Sequence, residues 1–254
     1  MKHLLQSIMI FLCSFIFLGM FMAPPAMANP PVRSYLDLNY VNILHALIKI
    51  GKFKPENNDF LDAYSMVAHC DVAQGSYNDE FRWNQAREAM KKWLGAREKK
   101  FPTRLGVRSK IMFTRYDSDS KYYLFSEQTP MQKVNTFLSD ARPHPEVCNK
   151  PNNILLPSRF QVITNNPVTL PGLRLSEEQA KDLRQKFEQA YNTYKIAYVR
   201  FNIEITDAEY IGPSVFTAQQ GANDRAWKIK ATMHSIEFFS DPQYRNRFFY
   251  YVPF

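Results

Sequence analysis

An α+β fold, with a helical N-terminal third followed by an antiparallel sheet that one capped helix interrupts, follows from three features of the chain. Up to Pro102, apolar residues recur at spacings of three and four. After Pro102 they recur at spacings of two, among aromatic and branched residues. Ser176-Glu177-Glu178-Gln179 then opens a further helix. Helices grouped before strands favour α+β over a parallel sheet.

Lys2 and His3 precede an almost wholly apolar run over residues 8–22, and Pro24-Pro25 ends it. Ala26-Met27-Ala28 is the small-x-small pattern of a signal-peptidase site. The apolar run is about 15 residues, whereas a membrane span needs about 20. Residues 1–28 therefore read as a signal peptide cleaved after Ala28, which directs the mature chain to the periplasm or the exterior. No transmembrane span is expected after cleavage.

The first helix is expected over residues 34–50, where Leu36, Tyr40, Ile43, Leu44, Leu47 and Ile48 share one face. His45 falls on the opposite face and reads as a solvated residue. Gly51 and Pro55 end the helix. A second helix starts after Asn58 or Asp59, with Phe60, Leu61, Tyr64, Val67 and Ala68 inward and His69 turned away; Gly75-Ser76 reads as a turn. A third helix spans 79–99, with Trp83, Ala86, Met90, Trp93 and the stem of Arg97 as its stripe. Asp79 and Glu80 at its start and Arg97, Lys99 and Lys100 at its end complement the helix dipole.

Residues 104–116 and 121–125 read as strands around the turn Asp117-Ser118-Asp119-Ser120. Residues 131–140 are ambiguous, and 141–158, with four prolines, read as a loop. A further strand is expected within 154–163. The capping box at Ser176 starts a helix over 176–194, with Leu183, Phe187, Ala190, Tyr191 and Tyr194 inward. Ala197, Val199, Phe201, Ile203 and Ile205 then alternate with Tyr198, Arg200, Asn202, Glu204 and Thr206, the pattern of a half-buried strand. Trp227, Ile229, Ala231 and Met233 repeat it, and the phase slips near Ser235, as a bulge would make it. Phe248, Tyr250, Val252 and Phe254 alternate at the end. A membrane barrel needs at least eight strands of about ten residues, more than this chain supplies. The expected organisation is a signal peptide (1–28), a helical region (29–102) and a sheet region (103–254), the last two packed as one domain.

The formal charge is +8, and cleavage removes only Lys2 from the basic total. Residues 82–110 hold ten Lys or Arg against Glu88 and Glu98 alone. Arg87, Lys91, Lys92, Lys99, Arg104 and Arg108 are thus candidates for contact with an anionic lipid, an anionic envelope polymer or an acidic protein patch. The structural alternative is a solubilising face. Export argues against a nucleic-acid partner.

Cys13 leaves with the signal peptide, so Cys70 and Cys148 remain. Two thiols in an oxidising compartment tend to pair. Zinc is the competing reading, because His69 and His144 lie near them, but the C-x₂₋₄-C spacing is missing and no metal site is expected. No cofactor motif or phosphate loop is present, and neither a G-x-S-x-G elbow nor an H-E-x-x-H helix. His234 could serve as an acid or base with a carboxylate, but no nucleophile is identifiable beside it.

His69-Cys70-Asp71, Glu80-Phe81-Arg82-Trp83-Asn84, Phe101-Pro102-Thr103-Arg104 and Arg115-Tyr116-Asp117 together resemble a family of uncharacterised exported bacterial proteins, a domain of unknown function. The resemblance implies a periplasmic or secreted bacterial protein and carries no catalytic residues. The expectation is a non-enzymatic binding or accessory protein for an anionic envelope component or a protein partner. An unrecognised envelope hydrolase using His234 with a carboxylate is the alternative.

Overall fold

A computed structural model describes residues 35–129, 131–140, 159–190, 192–213 and 225–253. Residues 1–28, read above as a signal peptide, with the expected cleavage point, the proline-rich stretch containing His144 and Cys148, and Tyr191 lie outside the described residues. Tyr35–Phe254 form one compact unit around one core. The fold is mixed α+β, with helices early and a large curled sheet.

The first helix starts later than its apolar periodicity suggests. Leu36–Asp37 form a short strand, β1, and α1 runs Tyr40–Lys49. The Asn39 side chain accepts from the Asn42 backbone, and the Asn42 amide donates to the Asp37 carbonyl, which fixes the boundary. Asn57 caps α2 (Asn58–Ala68) in the same way. Gly75-Ser76 is no turn, because both belong to α3 (Cys70–Ser76), where burial of Ala73 offsets the helical cost of glycine.

Asp79 caps α4 (Glu80–Gly95), and the single turn Glu98–Lys100 follows. The buried line of α4 is Trp83, Met90 and Leu94, whereas Trp93 is 37% exposed. At about 100° per residue, 83, 90 and 94 fall within roughly 20° of one line, and 93 lies some 80° away. The expected tryptophan stripe is corrected accordingly.

Eight further strands follow: β2 (Arg104–Asp117), β3 (Tyr122–Phe125), β4 (Met131–Asp140), β5 (Arg159–Leu170), β6 (Gly172–Arg174), β7 (Ile196–Pro213), β8 (Arg225–Phe239) and β9 (Arg247–Tyr251). Between β6 and β7 lies α5 (Glu177–Gln189), with the full capping box at Ser176. Ala180, Leu183 and Phe187 are buried, but the helix stops before Tyr194, which is 75% exposed. Ambiguous residues 131–140 are strand because β5 pairs with them over most of their length.

The sheet order is β4-β5-β8-β7-β2-β3-β6, with β1 beside β2 and β9 beside β8. The sheet is not wholly antiparallel, since β1–β2 and β5–β8 are parallel. The β4–β5 pair docks on the edge that β8 leaves open opposite β7, and β5 then runs in the direction of β8. The phase slip near Ser235 is a bulge. Asn202 pairs with Ser235 and Ile203 with Met233, so His234 is the extra residue.

Curling brings distant strands together. β4 lies three strand spacings from β7, about 14 Å in a flat sheet. Yet the rings of Phe137 on β4 and Phe201 on β7 are 5.1 Å apart. The link from β3 to β4 closes the curl, where the Met112 backbone amide donates to the Thr129 hydroxyl at 2.9 Å.

Candidate functional site

The curl bounds an open-sided cavity of about 510 Å³ between β2, β4 and β7. Its apolar lining is Val107, Ile111, Met131, Val134, Phe137, Val199 and Phe201, and hydroxyls come from Ser109, Thr129 and Thr136. Alternation along β2 explains the selection. Val107 pairs with Phe201 and Ser109 with Val199, so their side chains share the inner face. Arg108 and Lys110 belong to the same stretch of wall, but their side chains alternate to the outer face. There Arg108 reaches Asp37 at 2.8 Å and lies over the Tyr244 ring, and the Lys110 amine lies 5.7 Å from the Tyr198 ring centre.

The six nominated basic residues do not form one free patch. Arg87 makes a bidentate pair with Asp62, with Nε to Oδ1 at 2.6 Å, and its guanidinium lies over Trp83. Arg104 pairs with Glu204 at 3.2 Å, and Arg108 with Asp37. The remaining lysines are less engaged. Lys91 reaches Glu88 only at 4.0 Å, and Lys92 and Lys99 are exposed. Charge density in the sequence located the cations but not the carboxylates that strand and helix pairing brings to three of them.

The outer face of the sheet holds a polar network that alternation alone hides. Glu204 lies on it, and His234 Nε2 meets Glu204 Oε2 at 2.8 Å, with Arg104 and the Thr103 hydroxyl on the same carboxylate. His234 therefore meets a carboxylate on a neighbouring strand, Glu204 on β7. Burial pushes the Glu204 carboxyl up, but hydrogen bonds from His234 and Arg104 outweigh it and hold the group below its ordinary value. Next along the face, Glu237 is 6% exposed. Its Oε2 accepts from Arg200 and Asn202, and its Oε1 from Arg247 at 2.7 Å. Asn202 also donates to Ser235. A buried carboxylate between two guanidiniums holds β7, β8 and β9 in register, and removing one partner would leave buried charge unmatched. Gly106 belongs to this arrangement, since the Arg200 stem would stand 3.0 Å from a Cβ there.

His45 is not solvated, contrary to its place on the polar side of the helical pattern. Its ring stacks on Phe101 at 4.1 Å with the planes nearly parallel, and its Nε2 lies 2.8 Å from the Tyr64 hydroxyl. Trp93 borders it, and His69 lies against both Tyr64 and Trp93. The Arg97 guanidinium covers the outer side of Trp93. The tight turn after α4 brings Phe101 back over α1, a contact no helical wheel contains. Cys70 starts α3 and is engaged rather than free. Among the described residues no group of three or more His, Cys, Asp or Glu side chains is placed to hold a metal ion. Nor is any described helix long and apolar enough to cross a membrane.

Burial, and then the neighbouring His69, lowers the His45 imidazole from its ordinary 6.5. Tyr64, pushed up to about 12 by burial, stays protonated beside it. The folded chain binds fewer protons at His45 than the unfolded chain does. Its contribution is therefore complete above the ordinary histidine value and fades as pH falls through it. Thermal unfolding at about pH 8 and about pH 5 checks this. Wild-type stability should fall more steeply with acid than that of His45→Gln.

Residues 56–186 match the domain of unknown function DUF4852. The matched stretch covers α2 to β6 and most of α5, with the β2 and β4 walls of the cavity, and stops short of β7, β8 and His234. No curated protein and no solved structure matches the chain. Spanning just over half its length, the match shows that the chain belongs to the DUF4852 family.

Proposed function

We propose that the chain is exported, that residues 1–28 are removed after Ala28, and that the mature protein is a non-enzymatic binding protein whose ligand seat is the curled-sheet cavity. The observation that carries this reading is the cavity itself. Its volume falls in the range of about 300–1,000 Å³ typical of small-molecule sites, and its lining is more apolar than polar, with hydroxyls among the apolar side chains. His234, by contrast, is held with Glu204, Arg104 and Thr103 in a network that ties β2 to β7 and β8, which favours a structural role over hydrolysis. The neutral fluorophore N-phenyl-1-naphthylamine should brighten on binding wild type. Ser109→Trp, which fills the cavity from β2, should weaken binding at least about tenfold, about 1.4 kcal/mol. Equal binding by the two proteins would remove the cavity as the seat.

An anionic partner is supported on a narrower surface than the sequence alone suggests. Among the described residues, Lys92 and Lys99 are exposed, and Lys91 meets Glu88 only at 4.0 Å. Reversing all three to glutamate should abolish salt-sensitive sedimentation with phosphatidylglycerol vesicles. Unchanged sedimentation would exclude this face.

Pairing of Cys70 with Cys148 accompanies the export proposal. Cys70 is the first residue of α3, where a covalent tie would hold a short helix that has no side-chain cap. Titration of the denatured mature protein should find no free thiol before reduction and two after it; two before reduction would refute the pairing.

A further inference from the structure

The cavity wall carries a second message, which rests on the cavity being the ligand seat. No acidic side chain lines it among the described residues. The two cations in its wall segment belong to the opposite face, Arg108 with Asp37 and Tyr244 and Lys110 over Tyr198. The polar groups left are hydroxyls, and two of the three are already in use. Thr129 accepts from the Met112 amide, and Thr136 donates to the Asn135 side chain. Ser109, exposed on β2, remains as the available donor. The floor beneath it is Val199, Ile111, Met131, Phe201 and Phe137, all buried.

We propose that the cavity takes the alkyl chain of an uncharged lipid, an alcohol or ester, and discriminates against chains that end in a carboxylate or phosphate. An apolar chain gains from every methylene moved out of water against these walls. A neutral hydroxyl or ester oxygen meets the Ser109 hydroxyl at the rim and keeps its remaining hydrogen bonds to water. An ionised head drawn to the same depth gives up hydration and finds no inward-facing cation in exchange. The discrimination thus comes from the alternation of β2, which places Ser109 inward and Arg108 and Lys110 outward.

Displacement of N-phenyl-1-naphthylamine from the mature protein by 1-decanol and by decanoate, at about pH 8 where decanoate is ionised, tests this. Decanol should displace the probe at a concentration at least about tenfold lower than decanoate. Ser109→Arg, at the exposed inward-facing position on β2, places a cation at the mouth and should shift the preference toward decanoate. Lys110→Ala should leave both values unchanged. Decanoate competing as well as decanol in wild type, or Ser109→Arg leaving the preference unaltered, would overturn the ligand class while the cavity stands as a seat. Failure of the probe and of both chains to bind would overturn the seat and the ligand class together. The melting temperature of each variant shows whether a loss reflects folding.

Discussion

The rest of the structure depends on β7 being paired along both edges. Its first half lies between β2 and β8, and its second half continues against β8 alone. A strand held in this way must present two faces, and the chain fills them with opposite chemistry. The inner face, from Ala197 to Ile205, is buried apolar surface that anchors the core and floors the cavity. The outer face carries Arg200, Asn202 and Glu204, each bound to a partner on β8 or β2. The two arrangements reinforce one another. A one-residue slip would turn the arginine inward and the phenylalanine outward, losing burial and the charge pairing together.

The helices add to this frame rather than creating it. Tyr40 on α1 packs against Phe160 on β5, and Phe53, in the link after α1, packs against Trp227 on β8. These contacts close one end of the inner face. At the other end, Phe187 on α5 meets Phe113 on β2. The stretch left between them is the one the curl turns into a cavity. Gly172 on β6 is a comparable local necessity, since a Cβ there would stand 2.3 Å from the Tyr123 carbonyl oxygen.

Local signals in the sequence were reliable where the physics is local. The Ser176 capping box, the alternation of β7 and the bulge in β8 each depend on residues a few positions apart, and each is present. What the sequence concealed depends on folding over distance. The curl arises from strands that are far apart in the chain, so the cavity had no linear signature. Three of the nominated cations were neutralised by Asp62, Glu204 and Asp37, two of them from other elements of the sheet. His45 lay on the polar side of its own helix and was claimed by Phe101, 56 positions later, through a turn whose geometry periodicity does not encode. The signal that could have found it was the tight sequence Phe101-Pro102 after a basic helix end, which must fold back onto something aromatic or apolar.

One small arrangement on β8 has a wider meaning. β5 pairs with its first half, through Ala231, and β9 with its last residues, from Ile236. Between them, at the bulge, the Asn166 side chain takes over: its amide donates to the Met233 carbonyl and its oxygen accepts from the Met233 amide, both at 2.9 Å. A carboxamide thus stands in for a peptide unit at the one gap between two neighbouring strands. β8 therefore offers no stretch of open backbone there onto which a foreign strand could zip. A central strand closed in this way resists association between copies of the chain, and the closure rests on a single asparagine rather than on an added length of sheet.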